Sequence, residues 1–212
     1  MNSDDIEKEI RTQGRLNVTK YGIDASPQEF ETHFRDSAFL QSAGLGDAVQ
    51  KLRVSRDTLD FAGVDVNSYF ASAAVDFIRQ KLLQAGASFT FETVMSHRSK
   101  VELLARSQAV GYRTYLYYIA TDDPAINVSR VRNRVKLGGH AVPEDKIVSR
   151  YYRSLDLLLE AIRYSNRAYV FDNSGEHKEN TWLAEVTDGK LLVMHQAQVP
   201  AWFTRAVLDK LK

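Results

Sequence analysis

Tyr112 to Pro124 reads YRTYLYYIATDDP. Tyr112 to Ala120 is rich in aromatics and apolar through most of its second half, a strand pattern. Asp123-Pro124 then caps a helix running to Lys136, terminated by Gly138-Gly139. Pro143-Glu144-Asp145 starts another long helix, to about Tyr164, whose first-turn acids suit the helix dipole. Arg167 to Phe171 is a short strand of buried type, stopped by Asp172-Asn173-Ser174-Gly175. Strands separated by helices of roughly 10 to 20 residues predict βαβ units and a mainly parallel sheet flanked by helices, an α/β fold.

The pattern extends in both directions. Upstream, Ser88 to Thr93 is strand-like, and Ser99 to Ala109 reads as a helix that stops at Gly111. Asn67 or Ser68 begins a periodic helix through Phe70, Ala74, Phe77, Ile78 and Leu82, ended by Gly86. Ser26-Pro27-Gln28-Glu29 has a cap, a first-turn proline and a capping-box glutamate. Asp4 to Arg11 reads as a short polar helix, Ala43 to Gly46 as a loop, and residues 12–66 as helical and irregular. Downstream, Trp182 to Val186 and Leu191 to Met194 flank Asp188-Gly189, a hairpin signature. Pro200 to Lys212 reads as a terminal amphipathic helix, so hairpin and helix decorate one edge of the domain.

At about 150 residues per domain, 212 residues predict a single domain. Lys+Arg 28 against Asp+Glu 27 gives a net charge of +1, so no global field attracts nucleic acid or an anionic membrane. The absence of cysteine excludes disulfides, thiolate nucleophiles and cysteine-ligated metals, and fits a reducing, cytoplasmic setting. No apolar run reaches the ~18 residues of a membrane span, and the acidic start Met1-Asn2-Ser3-Asp4-Asp5 is not a secretory signal.

Four clusters carry chemistry. Asp4 lies in a strand-to-helix junction at the sheet edge where ligands bind in open α/β folds, or else Ser3 or Asp4 is simply a helix cap. Glu92, Thr93, Ser96 and Arg98 follow an apolar strand and rim the same edge, or else form an ordinary polar loop. Residues 130–153 hold seven Lys/Arg against two acids, Glu144 and Asp145. Arg130 and Arg134 share one helix face and Arg150 and Arg153 another, around Gly138-Gly139-His140. Guanidinium groups at that density match phosphates; a solvated charged face is the plainer reading. Asp172-Asn173-Ser174 follows a strand, and turn chemistry alone accounts for it. The five histidines, His33, His97, His140, His177 and His195, have no metal-ligand spacing, and no G-x-S-x-G or G-x-G-x-x-G occurs.

Taken in order, Asn2 to Ile6 (N-x-D-x-I), Ser88 to Thr93 (S-F-x-F-E-T), Arg130 to Pro143 (R-V-x-x-R-V-x-x-G-G-H-x-V-P), Arg150 to Leu155 and Asp172 to Ser174 resemble the zeta-toxin family of P-loop small-molecule kinases, closest to its zeta-toxin-like, predicted-ATPase branch. The resemblance implies a P-loop-kinase-like fold over 1–212, with 12–66 as a helical insertion, 123–154 as an arginine-rich lid and 181–212 as decoration. It implies ATP with Mg²⁺, a nucleotide-sugar acceptor such as UDP-N-acetylglucosamine, and an antitoxin partner. By match to the motifs, Asp4 takes the proton of the acceptor hydroxyl. Glu92 and Thr93 bind the acceptor, and Arg98 its phosphates. Arg130, Arg134 and Arg150 close on the transferring phosphate, and Asn173 contacts the nucleotide.

One element of that family is missing from these residues. No glycine begins a G-x-x-x-x-G-K-[ST] run; the sole Gly-Lys, Gly189-Lys190, is followed by Leu191 in the hairpin turn. The expectation is an N-terminally truncated kinase domain without its first strand and phosphate-binding loop, with weak nucleotide affinity and self-association through an exposed sheet edge. The alternatives are a non-catalytic remnant that binds a nucleotide-sugar or a partner protein, and, least favoured, an RNA binder.

Overall fold

The computed structural model describes residues 1–139, 141–175 and 179–211. Its contacts divide the chain into two compact units, Met1–Thr93 and Val94–Lys212.

The first unit contains helix α1 (Ser3–Gln13), strand β1 (Arg15–Asn17), helices α2 (Pro27–Arg35), α3 (Ala38–Ser42) and α4 (Gly46–Val49), strands β2 (Arg53–Ser55) and β3 (Thr58–Asp60), and the long helix α5 (Ser68–Gln84). The caps explain the helix starts. Asn67 accepts from Tyr69 N and Phe70 N at the head of α5. Ser26 and Glu29 form a complete capping box on α2. α1 is capped by Asn2, not by Ser3 or Asp4: the Asn2 backbone is extended and its side chain accepts from Asp4 N. The core joins Ile6 and Ile10 of α1, Phe30 and Phe34 of α2, Leu40 of α3, Leu59 of β3 and Phe70, Phe77 and Ile78 of α5. Phe30 and Phe77 stack with ring centroids 4.5 Å apart. Phe30, Phe34 and Leu40 are therefore packing residues.

Two expectations change here. Residues 12–66 are not only helical, because β1, β3 and β2 form a three-stranded antiparallel sheet in that order. Ser88 to Thr93 belongs to no described strand ladder.

The second unit contains helix α6 (Ser99–Ala109), strand β4 (Tyr115–Ala120), helices α7 (Pro124–Lys136) and α8 (Glu144–Arg163), strands β5 (Arg167–Asp172), β6 (Thr181–Thr187) and β7 (Leu191–Met194), and the short helix α9 (Ala201–Ala206). The sheet order is β4-β5-β6-β7. β4 and β5 are parallel, joined by the crossover through α7 and α8, with Tyr115 opposite Arg167 and Ala120 opposite Asp172. Leu158 and Ile162 of α8 and Trp202 and Phe203 of α9 pack with Ala168, Val170, Leu183 and Ala184 in one core.

The expected mainly parallel sheet is confined to this one ladder among the described residues. β5–β6, β6–β7 and both ladders of the first unit are antiparallel. For β2–β3 and β6–β7 the reason is connection length: a tight turn such as Asp188-Gly189 returns the chain antiparallel, whereas parallel pairing needs a long crossover. The expected helix from Pro200 to Lys212 is also shorter. α9 ends where Val207 leaves helical geometry (φ −124°, ψ −64°), and a single 3₁₀ turn, Leu208–Lys210, follows. No described helix is long and apolar enough to cross a membrane.

Candidate functional site

In the first unit, Asn2 ties two of the motif segments together. Its side-chain oxygen accepts from Asp4 N at 2.9 Å, and its amide nitrogen donates to Glu92 Oε2 at 3.2 Å. The backbones join as well: the Met1 ammonium donates to Thr90 O at 2.8 Å, and Glu92 N donates to Met1 O at 3.2 Å. Those two bonds have the pattern of a parallel pair with Met1 beside Phe91. Asp4, Glu92 and Thr93 are all exposed. Asp4 sits in the first turn of α1, where the helix dipole favours a carboxylate.

Sequence reasoning missed Arg79 behind this segment. It lies on α5 and is 4% exposed, with its guanidinium carbon 4.2 Å from the Phe91 ring centre. Burial pushes its pKa down, with Asp76 opposing, and its Nε has no hydrogen-bond partner.

The second unit brings two of the other residues, Arg130 and Asn173, together at the C-terminal end of the β4–β5 pair, where ligands bind in open α/β sheets. One terminal nitrogen of Arg130, on α7, donates to Asn173 O at 2.7 Å and to Asn173 Oδ1 at 2.8 Å. Asp172 accepts from Ser174 N, from the Ser174 hydroxyl and from the Trp202 indole at 3.0, 2.7 and 2.9 Å. Ser174 Oγ accepts from Asp122 N at 2.6 Å, which fastens the end of β5 to the end of β4. Tyr151 of α8 donates to Thr121 O at 2.8 Å, and burial pushes its hydroxyl pKa up to about 12, so it stays a donor. Asp172 and Ser174 thus position Asn173, a role their turn pattern did not disclose.

The remaining arginines differ in setting. Arg134 is exposed one turn after Arg130. Gly139 folds back on it: Gly139 N donates to Arg134 O, and a Cβ on Gly139 would stand 2.7 Å from Arg134 Cγ and 3.0 Å from Arg134 O. A side chain at this position would force Arg134 to shift. His140, the next residue of the motif, lies outside the described residues, as does His177. Arg150 is exposed on α8. Arg98 is committed within its own unit, 2.8 Å from Glu160 Oε1 and 3.7 Å from Glu102 Oε1. Among the described residues no group of three or more His, Cys, Asp or Glu could hold a metal ion.

A cavity of about 280 Å³ opens between α2 and α5, lined by Glu29, His33, Phe77 and Lys81 among others, and none of the motif residues lines it. Lys81 Nζ lies 2.6 Å from Glu29 Oε1. That bond and the Ser26 backbone N–H pull the Glu29 pKa down to about 2.

The fold is mixed α/β, with a βαβ crossover whose first helix holds Arg130 against Asn173, just past the end of β5. A family model described as zeta toxin matches residues 60–178, more than half of the chain, and the chain belongs to the zeta toxin family. That stretch includes Glu92, Thr93, Arg98, Arg130, Arg134, Arg150 and Asn173, but not Asp4. A protein of Haemophilus influenzae, described as uncharacterized, is 33% identical over 63 residues, 30% of this chain and 45% of its own length. The chain therefore spans less than half of that relative. No solved structure matches.

Proposed function

We propose that the chain is the body of an ATP-dependent small-molecule kinase of zeta-toxin type, acting on a nucleotide-sugar such as UDP-N-acetylglucosamine. The observation that carries this reading is the Asn2 bridge, which holds the first turn of α1, with Asp4, beside Glu92. A carboxylate and an acceptor-binding group held together are what hydroxyl activation needs. Asp4 accepts the hydroxyl proton as the oxygen attacks the γ-phosphorus. The new O–P bond forms while the bond to the ADP oxygen breaks, roughly in line. Glu92 and Thr93 hold the acceptor, with Arg98 toward its phosphates. Arg130, Arg134 and Arg150 offset charge on the transferring group, and Asn173, fixed by Arg130, contacts the nucleotide. The described residues form no cage for a cation, so magnesium enters this reading only as the counter-ion of the nucleotide phosphates. An antitoxin protein is the proposed regulatory partner, and the cytoplasm the proposed setting.

Transfer of labelled γ-phosphate from ATP to UDP-N-acetylglucosamine tests the proposal. Asp4→Asn is expected to lower the rate by about 10²-fold or more, the usual contribution of a positioned base. Arg134→Ala is expected to lower it by a similar factor, about 10². Unchanged rates in both variants would sink the assignment. One fact favours a second reading: no G-x-x-x-x-G-K-[ST] run occurs in these 212 residues. Acceptor binding that weakens in Glu92→Gln, with no transfer under any condition, would establish a nucleotide-sugar-binding module instead.

A further inference from the structure

α2 and α5 face each other with stripes of the same spacing. On α2, Gln28 and Thr32 are four apart, as are Glu29 and His33; on α5, Phe77 and Lys81 are four apart, as are Gln80 and Gln84. The helices run antiparallel, because Glu29 meets Lys81 while His33 meets Ala73. These residues line the cleft of about 280 Å³. That is close to the ~300 Å³ at which pockets begin to take small molecules, so there is room for one ring. Arg79, whose guanidinium stands over Phe91, lies on the opposite face of α5, so the cleft is separate from the acceptor segment.

The wall of the cleft offers acceptors. Gln28 Nε2 donates to Thr32 Oγ1 at 3.3 Å, and Gln80 Nε2 donates to Asp76 Oδ2 at 2.8 Å, which leaves Oε1 of both amides open. His33 Nε2 lies 3.0 Å from Ala73 O, and a carbonyl oxygen only accepts, so Nε2 carries the hydrogen. Burial holds the His33 pKa below its ordinary value, so near pH 7 the ring is neutral and Nδ1 is an acceptor. The charges cancel, with Lys81 Nζ 2.6 Å from Glu29 Oε1. A cation would meet the ammonium, and an anion the carboxylate. Phe77 is 4% exposed, stacked on Phe30 at 4.5 Å with His33 against its edge at 5.2 Å, so neither of its faces is open to a flat base.

We propose that the α2–α5 cleft binds a neutral polyol the size of a monosaccharide, whose hydroxyl groups donate to Gln28 Oε1, Gln80 Oε1 and His33 Nδ1. Hydroxyls suit this wall because they donate without bringing in a charge that would have to be desolvated. Each hydroxyl also accepts. The Thr32 hydroxyl and the ammonium hydrogens of Lys81 not used on Glu29 supply that half of the exchange. The ligand lies across both helices and bridges α2 to α5.

Amide NMR of the full chain, titrated with glucose and separately with myo-inositol, provides the test. At least one of the two is expected to bind and to move the backbone signals of residues 28–33 and 77–84, together with the side-chain amides of Gln28 and Gln80. Gln80→Leu is expected to raise the dissociation constant by about fivefold, the loss of one neutral hydrogen bond. Thr32 is exposed, so Thr32→Tyr fills the cleft without disturbing the core and is expected to abolish binding. Glu92→Gln, in the acceptor segment, is expected to leave the titration unchanged. Circular dichroism identifies any variant that fails to fold, and the native titration with its map of shifted signals then decides the matter. No shift with either polyol, shifts centred on Glu92, adenosine or ethylammonium moving the same signals as strongly, or native affinity in Thr32→Tyr would each overturn the proposal.

Discussion

Glu29 does two jobs with one carboxylate: it closes the capping box of α2 by accepting from Ser26 N, and it pairs with Lys81 of α5. Its pKa of about 2, against 4.5 unpaired, fixes the sign of a pH effect. A depressed carboxylate contributes stability that is fully present above the unfolded pKa and is lost as pH falls through the folded one. The contribution should therefore fade between pH 4.5 and about 2. The Glu29 side chain is 44% exposed, so solvent limits the gain to about 1 kcal/mol or less. Urea unfolding at a series of pH values is expected to show a shallower acid limb in Lys81→Met than in the native chain. Superimposable limbs would contradict the pairing. The capping box was readable from Ser26, Pro27 and Glu29. Lys81 was not, because nothing local relates it to a residue 52 positions earlier.

At the scale of elements, legibility followed locality. α5, α6 and α7 begin and end within a residue or two of their sequence signals, because caps and apolar periodicity are local. Ser88 to Thr93 has the alternation of a strand, yet the backbone of Thr90 and Glu92 bonds to Met1, a pairing no local rule supplies. The same applies to Asp172, whose partner Trp202 is 30 residues away, and to Asn173, whose partner Arg130 is 43 away. Turn composition marked that segment as a turn and was silent on what it holds. The β6–β7 hairpin shows the local case at its strongest. Asp188 and Gly189 both have positive φ, 49° and 65°, and Lys190 N bonds back to Thr187 O at 3.0 Å. A Cβ on Gly189 would also stand 2.8 Å from Cα and O of Arg163. Gly189→Ala therefore combines a left-handed backbone with a clash against rigid main chain. It is expected to destabilise the second unit by about 1–3 kcal/mol. Trp182 and Trp202 both lie in that unit, so tryptophan fluorescence during urea unfolding reads the effect directly. A midpoint equal to the native one would show that the turn tolerates a side chain.

For the molecule as a whole, the decisive quantity is a balance that conceals its own distribution. The net charge is +1 and the isoelectric point about 7.9, yet 130–153 carries seven bases and two acids. An excess of that kind acts over about a Debye length, ~8 Å near physiological salt. Binding of ATP to the native chain is therefore expected to weaken steadily as salt is added at pH 7, and in Arg134→Ala to be weaker throughout and less steeply dependent on salt. A native affinity for ATP that is the same at low and high salt would show that the arginines of that segment take no part in holding phosphates.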